Sequence, residues 1–253
     1  MKSFFYRIAC WLLFALLWLF SLLPLAVHFL FARFIAFIFD KVLHYRAAVI
    51  DTNLSWAFPQ LSQQERDKIR KENYLHLADL IVENIWAVSK STKFLKRRGT
   101  IRLEGEELMN EMVTKHGSVA IFTSHTGNWE FMGSYADLFE NPVFDQSQLT
   151  NAYQPMSSSF SEMMIQRIRQ CHMPYPDNLV SSARMLRFMY GHKDCSRLYN
   201  FIMDQYPGEL GVVQTPFLGL PTYWPGGGVT IASKFKMPVV HASIEKEGRR
   251  KHL

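Results

Sequence analysis

From residue 99 onward the chain alternates short apolar runs with segments of helical periodicity, and that alternation predicts an α/β sheet. Residues 118–123 form a short apolar run with β-branched members, the pattern of a buried strand. Residues 198–203 are a second such run, ending in Asp204-Gln205. Residues 101–103, 149–153 and 238–244 are further strand candidates. Helices are predicted over 106–115, 131–139, 158–171, 181–190 and 229–235, with a Pro- and Gly-rich loop over 206–228. Upstream, Ser62 and Glu65 form a capping box. It opens a helix in which Ile69, Leu77, Leu80, Ile81, Ile85 and Val88 recur at helical spacing. Residues 51–59 are expected to be a loop leading into that helix, and both are expected to serve packing alone, since nothing there is reactive.

The N-terminal pattern is different in kind. No formal charge occurs between Arg7 and Arg33, a stretch of 25 residues, whereas about 20 apolar residues suffice to cross a bilayer core. The stretch is too long for the apolar part of a signal peptide, no small-x-small cleavage site follows it, and residues 29–39 stay aromatic. It therefore reads as an uncleaved anchor. Pro24 is expected to bend it into a spanning part and an interfacial part, for which Trp11 and Trp18 are suited. The expected organisation is a membrane anchor and interfacial helix over 1–45, followed by an α/β domain over 46–253.

A net charge of +6 and a pI near 9.2 suit an anionic partner: nucleic acid, an anionic membrane or a phosphorylated lipid. The basic residues are scattered and carry no nucleic-acid-binding signature, so nucleic acid is not expected. Cys10, Cys171 and Cys195 offer neither an even count nor zinc spacing, which argues against a disulfide framework and is compatible with a reducing compartment.

Candidate chemistry concentrates in Ser124-His125-Thr126-Gly127-Asn128-Trp129-Glu130. It places an imidazole at the carboxyl end of a strand, where open α/β sheets bind ligands. Glu130 falls in the first turn of the next predicted helix and can turn back toward His125, and a carboxylate-oriented His is a usual base for a hydroxyl. A Gly-x-Ser-x-Gly elbow is missing, and Ser124 would point to the opposite face of the strand from its neighbour. No His-Glu-x-x-His occurs, and His116, His125 and Glu130 make no recognisable metal set, so neither metal nor cofactor is expected. Gly226-Gly227-Gly228 before a helix lacks the rest of a phosphate-binding fingerprint. Met185, Met189, Met203 and Met237 read as core or as lining of an acyl channel.

The His-x4-Glu spacing, filled in as His-Thr-Gly-Asn-Trp-Glu, resembles the His-x4-Asp/Glu glycerolipid acyltransferases, and within them the late (secondary) acyltransferases of lipid A biosynthesis. Asn-Leu-x-x-Ala-Phe-Pro at 53–59 and Asp204-Gln205 are similar to that branch as well. The resemblance implies a glycerolipid-acyltransferase-like central sheet flanked by helices, with an N-terminal membrane helix. It implies that His125 is the base and Glu130 orients it, with no covalent intermediate. Asn128, Arg169, Arg184, Asp204 and Gln205 would contact substrate: the arginines a phosphate of the headgroup or of the carrier's arm, and Asp204-Gln205 the acceptor. The donor would be acyl carrier protein, with coenzyme A the lesser alternative, and the acceptor a lipid A precursor. The expected location is the inner membrane, with the α/β domain on its cytoplasmic side.

Three alternatives remain open: a lysophospholipid or aminolipid acceptor, a membrane-attached binding protein without activity, and, against the missing elbow, a membrane hydrolase. Two departures bear on them. Gln154 stands where family members often have Arg, and the family usually continues some tens of residues past the strand that follows Pro238, which leaves two readings open: a C-terminally truncated domain, or one in which that tail is dispensable.

Overall fold

The computed structural model describes residues 2–205, 212–249 and 251–252. Its centre is a five-stranded sheet built from β1 (Val119–Thr123), β2 (Leu149–Tyr153), β3 (Leu179–Ser181), β4 (Leu198–Ile202) and β7 (Val239–His241), in the order β3-β2-β4-β1-β7. All its pairings are parallel. Parallel strands need crossovers, and helices supply most of them, burying both sheet faces. Because side chains alternate, Val119, Ile121, Leu149 and Leu198 enter one core with Trp86, Leu95, Phe131 and Tyr135. Ala120, Tyr199 and Phe201 face the other, with Met185, Met189 and Ala232. Met203 and Met237 pack against that second core.

Four elements depart from the expected pattern. Residues 101–103 make only an isolated bridge at Ile101. Residues 51–59 are mostly helical, within α3 (Ala47–Ala57). The loop expected over 206–228 contains an antiparallel hairpin, β5 (Val212–Phe217) with β6 (Leu220–Pro225), while 206–211 lie outside the described residues. The segment after the candidate motif is a 3₁₀ helix, Trp129–Leu138, kinked at Ser134.

The bend expected at Pro24 does form. Among the described residues no single helix is long and apolar enough to cross a membrane, but Phe5–Ser21 and Leu25–Val42 form one apolar pair bent by 120°. Pro24 explains the break: it carries no N–H to continue the helix and disfavours the α conformation of the residue before it. The two helices are α1 (Lys2–Ser21) and α2 (Leu25–Phe37). On one side, Phe29 and Ala32 of α2 pack on Ala78 and Val82 of α4 (Gln63–Ala87). Lys90 Nζ donates to the Ser21 carbonyl at the end of α1 (2.9 Å). Arg249 forks onto the buried Asp79 of α4 (2.7–3.1 Å) and also donates to the Phe29 carbonyl (3.2 Å), clasping α2 to α4 from the other end of the chain. On α7 (Ser159–Gln170), the Arg167 guanidinium lies 3.4 Å from the centre of the Trp11 ring of α1. Trp11, Leu12, Leu16, Leu30, Phe34 and Phe37 nevertheless remain exposed.

Candidate active site

Parallel register determines which carboxylate meets the imidazole. Thr123 of β1 stands opposite Ile202 of β4, so two residues further along each strand His125 stands opposite Asp204. The Met203 N–H donates to the Thr123 carbonyl (2.9 Å) and carries the pairing past the strand ends. Asp204 then grips His125 twice, accepting from its backbone N–H (2.7 Å) and from ring Nδ1 (2.6 Å). A carboxylate only accepts, so Nδ1 is the donor of this bond, and in the neutral ring that tautomer leaves the lone pair on Nε2. Nε2 has no protein partner among the described residues. The Trp129 ring meets the imidazole edge-on, with centroids 4.8 Å apart, and fixes its tilt.

The turn that follows is shaped by two buried residues. Gly127 has φ +54°, and a Cβ there would lie 2.5 Å from the Ile244 carbonyl oxygen, so glycine is required both for the left-handed backbone and for the close approach. Asn128 is buried. Its amide donates to Glu83 Oε2 on α4 (3.1 Å), and its side chain makes no helix-cap bond. Asn128 thus braces the motif against α4.

Glu130 does occupy the first turn of the following helix, but it does not turn back to His125. Arg169 of α7 takes both its oxygens, Nε to Oε2 at 2.8 Å and Nη2 to Oε1 at 2.6 Å. In this structure the contact expected between Glu130 and the imidazole is made by Asp204 at Nδ1, and a guanidinium fork offers Glu130 two charge-assisted bonds where an imidazole offers one. Burial works against the charge on Arg169, and the Glu130 carboxylate outweighs it, so its pKa is raised above the usual arginine value. Arg169 therefore braces Glu130. Arg184 is exposed on α8 (Ser182–Gly191) and lines neither of the cavities described next.

Two cavities flank the motif. His125, Trp129 and Gln205 open into one of about 410 Å³, whose other wall comes from α3, the turn before it and α4, including Arg46, Asn53 and Asn73. Glu130 and Arg169 edge a second, apolar cavity of about 230 Å³, lined by Ile81 and Ile85 of α4, Leu17 of α1, and Ile165, Ile168 and Met173. The apolar stripe of α4, expected to serve packing, thus walls both cavities through Leu77, Leu80, Ile81 and Ile85. Sequence reasoning had passed over these wall residues because none of them is reactive. The capping box, which does form, and the apolar periodicity behind it mark a well-defined helix there without marking it as a cavity wall. Among the described residues no group of three or more His, Cys, Asp or Glu is placed to hold a metal ion.

Across residues 2–253 the chain matches the family model described as bacterial lipid A biosynthesis acyltransferase. No match is found among curated proteins.

Proposed function

We propose, for a chain that belongs to the bacterial lipid A biosynthesis acyltransferase family and is therefore an acyltransferase, that it moves a fatty acyl group from an acyl carrier protein thioester to a hydroxyl of a lipid A precursor. The observation that carries this reading is the imidazole held by Asp204 at Nδ1, on the wall of a partly polar cavity beside a separate apolar one. A hydroxyl is a poor nucleophile at neutral pH, and a positioned base contributes on the order of 10²–10⁴ in rate.

In this mechanism Nε2 takes the proton of the acceptor hydroxyl as its oxygen attacks the thioester carbonyl carbon. Asp204 stabilises the imidazolium that forms. The C–S bond then breaks, the ester is released, and the proton passes from Nε2 to the departing thiolate. No covalent acyl-enzyme is needed. The 230 Å³ apolar cavity suits a segment of acyl chain, and the 410 Å³ cavity suits the acceptor headgroup.

Residues 1–45 seat the protein in the inner membrane, with the sheet domain on the cytoplasmic side where acyl thioesters are made. The exposed Trp11, Leu12, Leu16, Phe34 and Phe37 on the bent helix pair support that placement, because side chains of this kind favour the headgroup–acyl boundary. The test is purified protein with radiolabelled acyl carrier protein thioester and lipid A precursor, scored for acylated product, with flotation on liposomes for the membrane half. Transfer to lysophospholipid alone would overturn the acceptor, and failure to float would overturn the membrane placement.

A further inference from the structure

We propose that Arg46 is the anchor for an oxyanion, a phosphate or carboxylate, on the headgroup of the acceptor. The inference rests on the reading of the 410 Å³ cavity as the acceptor's site. It begins from how the guanidiniums are used. Arg70, Arg102, Arg169 and Arg249 each hold a carboxylate of this chain. Arg46 lines the cavity that contains the base and has no ion pair among the described residues. Asn53, Asn73 and Gln205, on the same walls, likewise make no side-chain hydrogen bond among the described residues. The cavity therefore presents one uncommitted cation and three uncommitted amides around an imidazole. That set matches a headgroup carrying one anionic group together with hydroxyls or amides.

The turn that carries Arg46 is held by neighbours and does not depend on the guanidinium. The Tyr74 hydroxyl donates to the Tyr45 carbonyl (2.9 Å), and the Tyr45 N–H donates to the Phe39 carbonyl (2.9 Å). The rings of Tyr45 and Phe39 stack at 5.3 Å. Arg70 pins α3 through both oxygens of Asp51 (2.6 and 2.7 Å). Within this frame His44 (φ +43°) and Arg46 (φ +51°) both take left-handed backbone, a conformation unfavourable for residues that carry a side chain. Surroundings that hold a strained turn in place fix the point of the backbone from which the exposed Arg46 side chain reaches the cavity wall. A guanidinium so placed can meet an oxyanion with two parallel N–H bonds, which a lysine cannot reproduce.

The test measures binding and transfer for Arg46→Gln and Arg46→Lys in the detergent-solubilised full chain. The probes are lipid A precursor with its phosphates intact, the same lipid after phosphatase treatment, and the lipid with and without a carboxylated sugar. Calorimetry should show wild type preferring one anionic form over its anion-free counterpart, and Arg46→Gln should shrink that preference about tenfold or more. The form whose preference collapses identifies the anion, and Arg46→Lys should restore it only in part. A general folding defect would weaken all probes equally and leave the ratio intact. An unchanged ratio, or a wild type indifferent to every anion, overturns the assignment. Preferential binding without any acyl transfer would leave this inference standing and sink the proposed function.

Discussion

Exchanging Asp204 for Asn should nearly silence the enzyme while leaving it folded. In the native site one oxygen of Asp204 accepts from the His125 backbone N–H and the other from Nδ1, at 2.7 and 2.6 Å. An asparagine has a single oxygen to offer. If that oxygen keeps the backbone N–H, the amide NH₂ faces Nδ1, the ring proton moves to Nε2, and the base loses the lone pair it needs. Such a wrong tautomer costs about 10⁴ in turnover in serine proteases. If the oxygen faces Nδ1 instead, two donors oppose each other at the backbone, and the imidazolium loses its charge-assisted partner. A hydrogen bond to a charged group is worth about 1.5–3 kcal/mol, or roughly 10- to 150-fold at about 1.36 kcal/mol per decade. With the two side chains 26 % and 30 % exposed, solvent softens the second route toward its lower end. Turnover at saturating substrates should therefore fall by between about tenfold and about 10⁴-fold, according to which way the amide settles, with KM for both substrates little changed.

Glu130→Gln should behave in another way. It strands Arg169 in a pair only 18–20 % exposed, so its main cost is stability, on the order of 2–4 kcal/mol. The double variant Glu130→Gln/Arg169→Gln should recover part of that loss. Initial rates with labelled thioester, together with thermal unfolding of each variant, separate the two carboxylates. The assignment is wrong if Asp204→Asn keeps more than about a tenth of the activity. It is equally wrong if Glu130→Gln matches the loss in His125→Ala at unchanged unfolding temperature.

Two further predictions concern the scaffold. Gly127→Ala combines a left-handed backbone with a clash against the Ile244 carbonyl; it should cost more than about 2 kcal/mol in denaturant unfolding and lower activity, and a stability within about 0.5 kcal/mol of wild type would show that the turn adapts. Burial lowers the pKa of His172 below its ordinary 6.5, opposed by a backbone bond to Ala87 and by the charge of Asp137. The unfolded chain thus takes up that proton first as pH falls. Stability from a neutral His172 is present above 6.5 and declines as pH drops through that value toward the lower folded pKa. The burial-raised Asp137 acts in the opposite sense. The measurement is the difference in pH-dependent unfolding between wild type and His172→Asn, and parallel curves between pH 7 and pH 5 would contradict it.

The legible parts of this fold were those governed by local pattern. The β1 and β4 runs are continuous and apolar because both faces of a parallel sheet are covered, and the periodicities of α4, α6 (Glu106–His116) and α7 match helices that do form. The three-residue edge strand β3 and the β5–β6 hairpin were not visible, being too short or too rich in Pro and Gly to display alternation. In the site, the motif spacing located Glu130 in the helix's first turn but could not say where its side chain would point. That direction depends on Arg169, 39 residues away in the chain.

The imidazole's own partner lies 79 residues off, and the same apolar runs that marked the strands also bring it within reach. Two parallel strands of equal length and flush register must present the residues just past their ends to one another, so an imidazole after β1 meets whatever follows β4. A carboxylate close in sequence is free to turn away, whereas one delivered by sheet register is not. His125 should therefore tolerate changes at Glu130 far better than any one-residue insertion or deletion within β4, which would move Asp204 off the imidazole and turn Tyr199 and Phe201 out of their core.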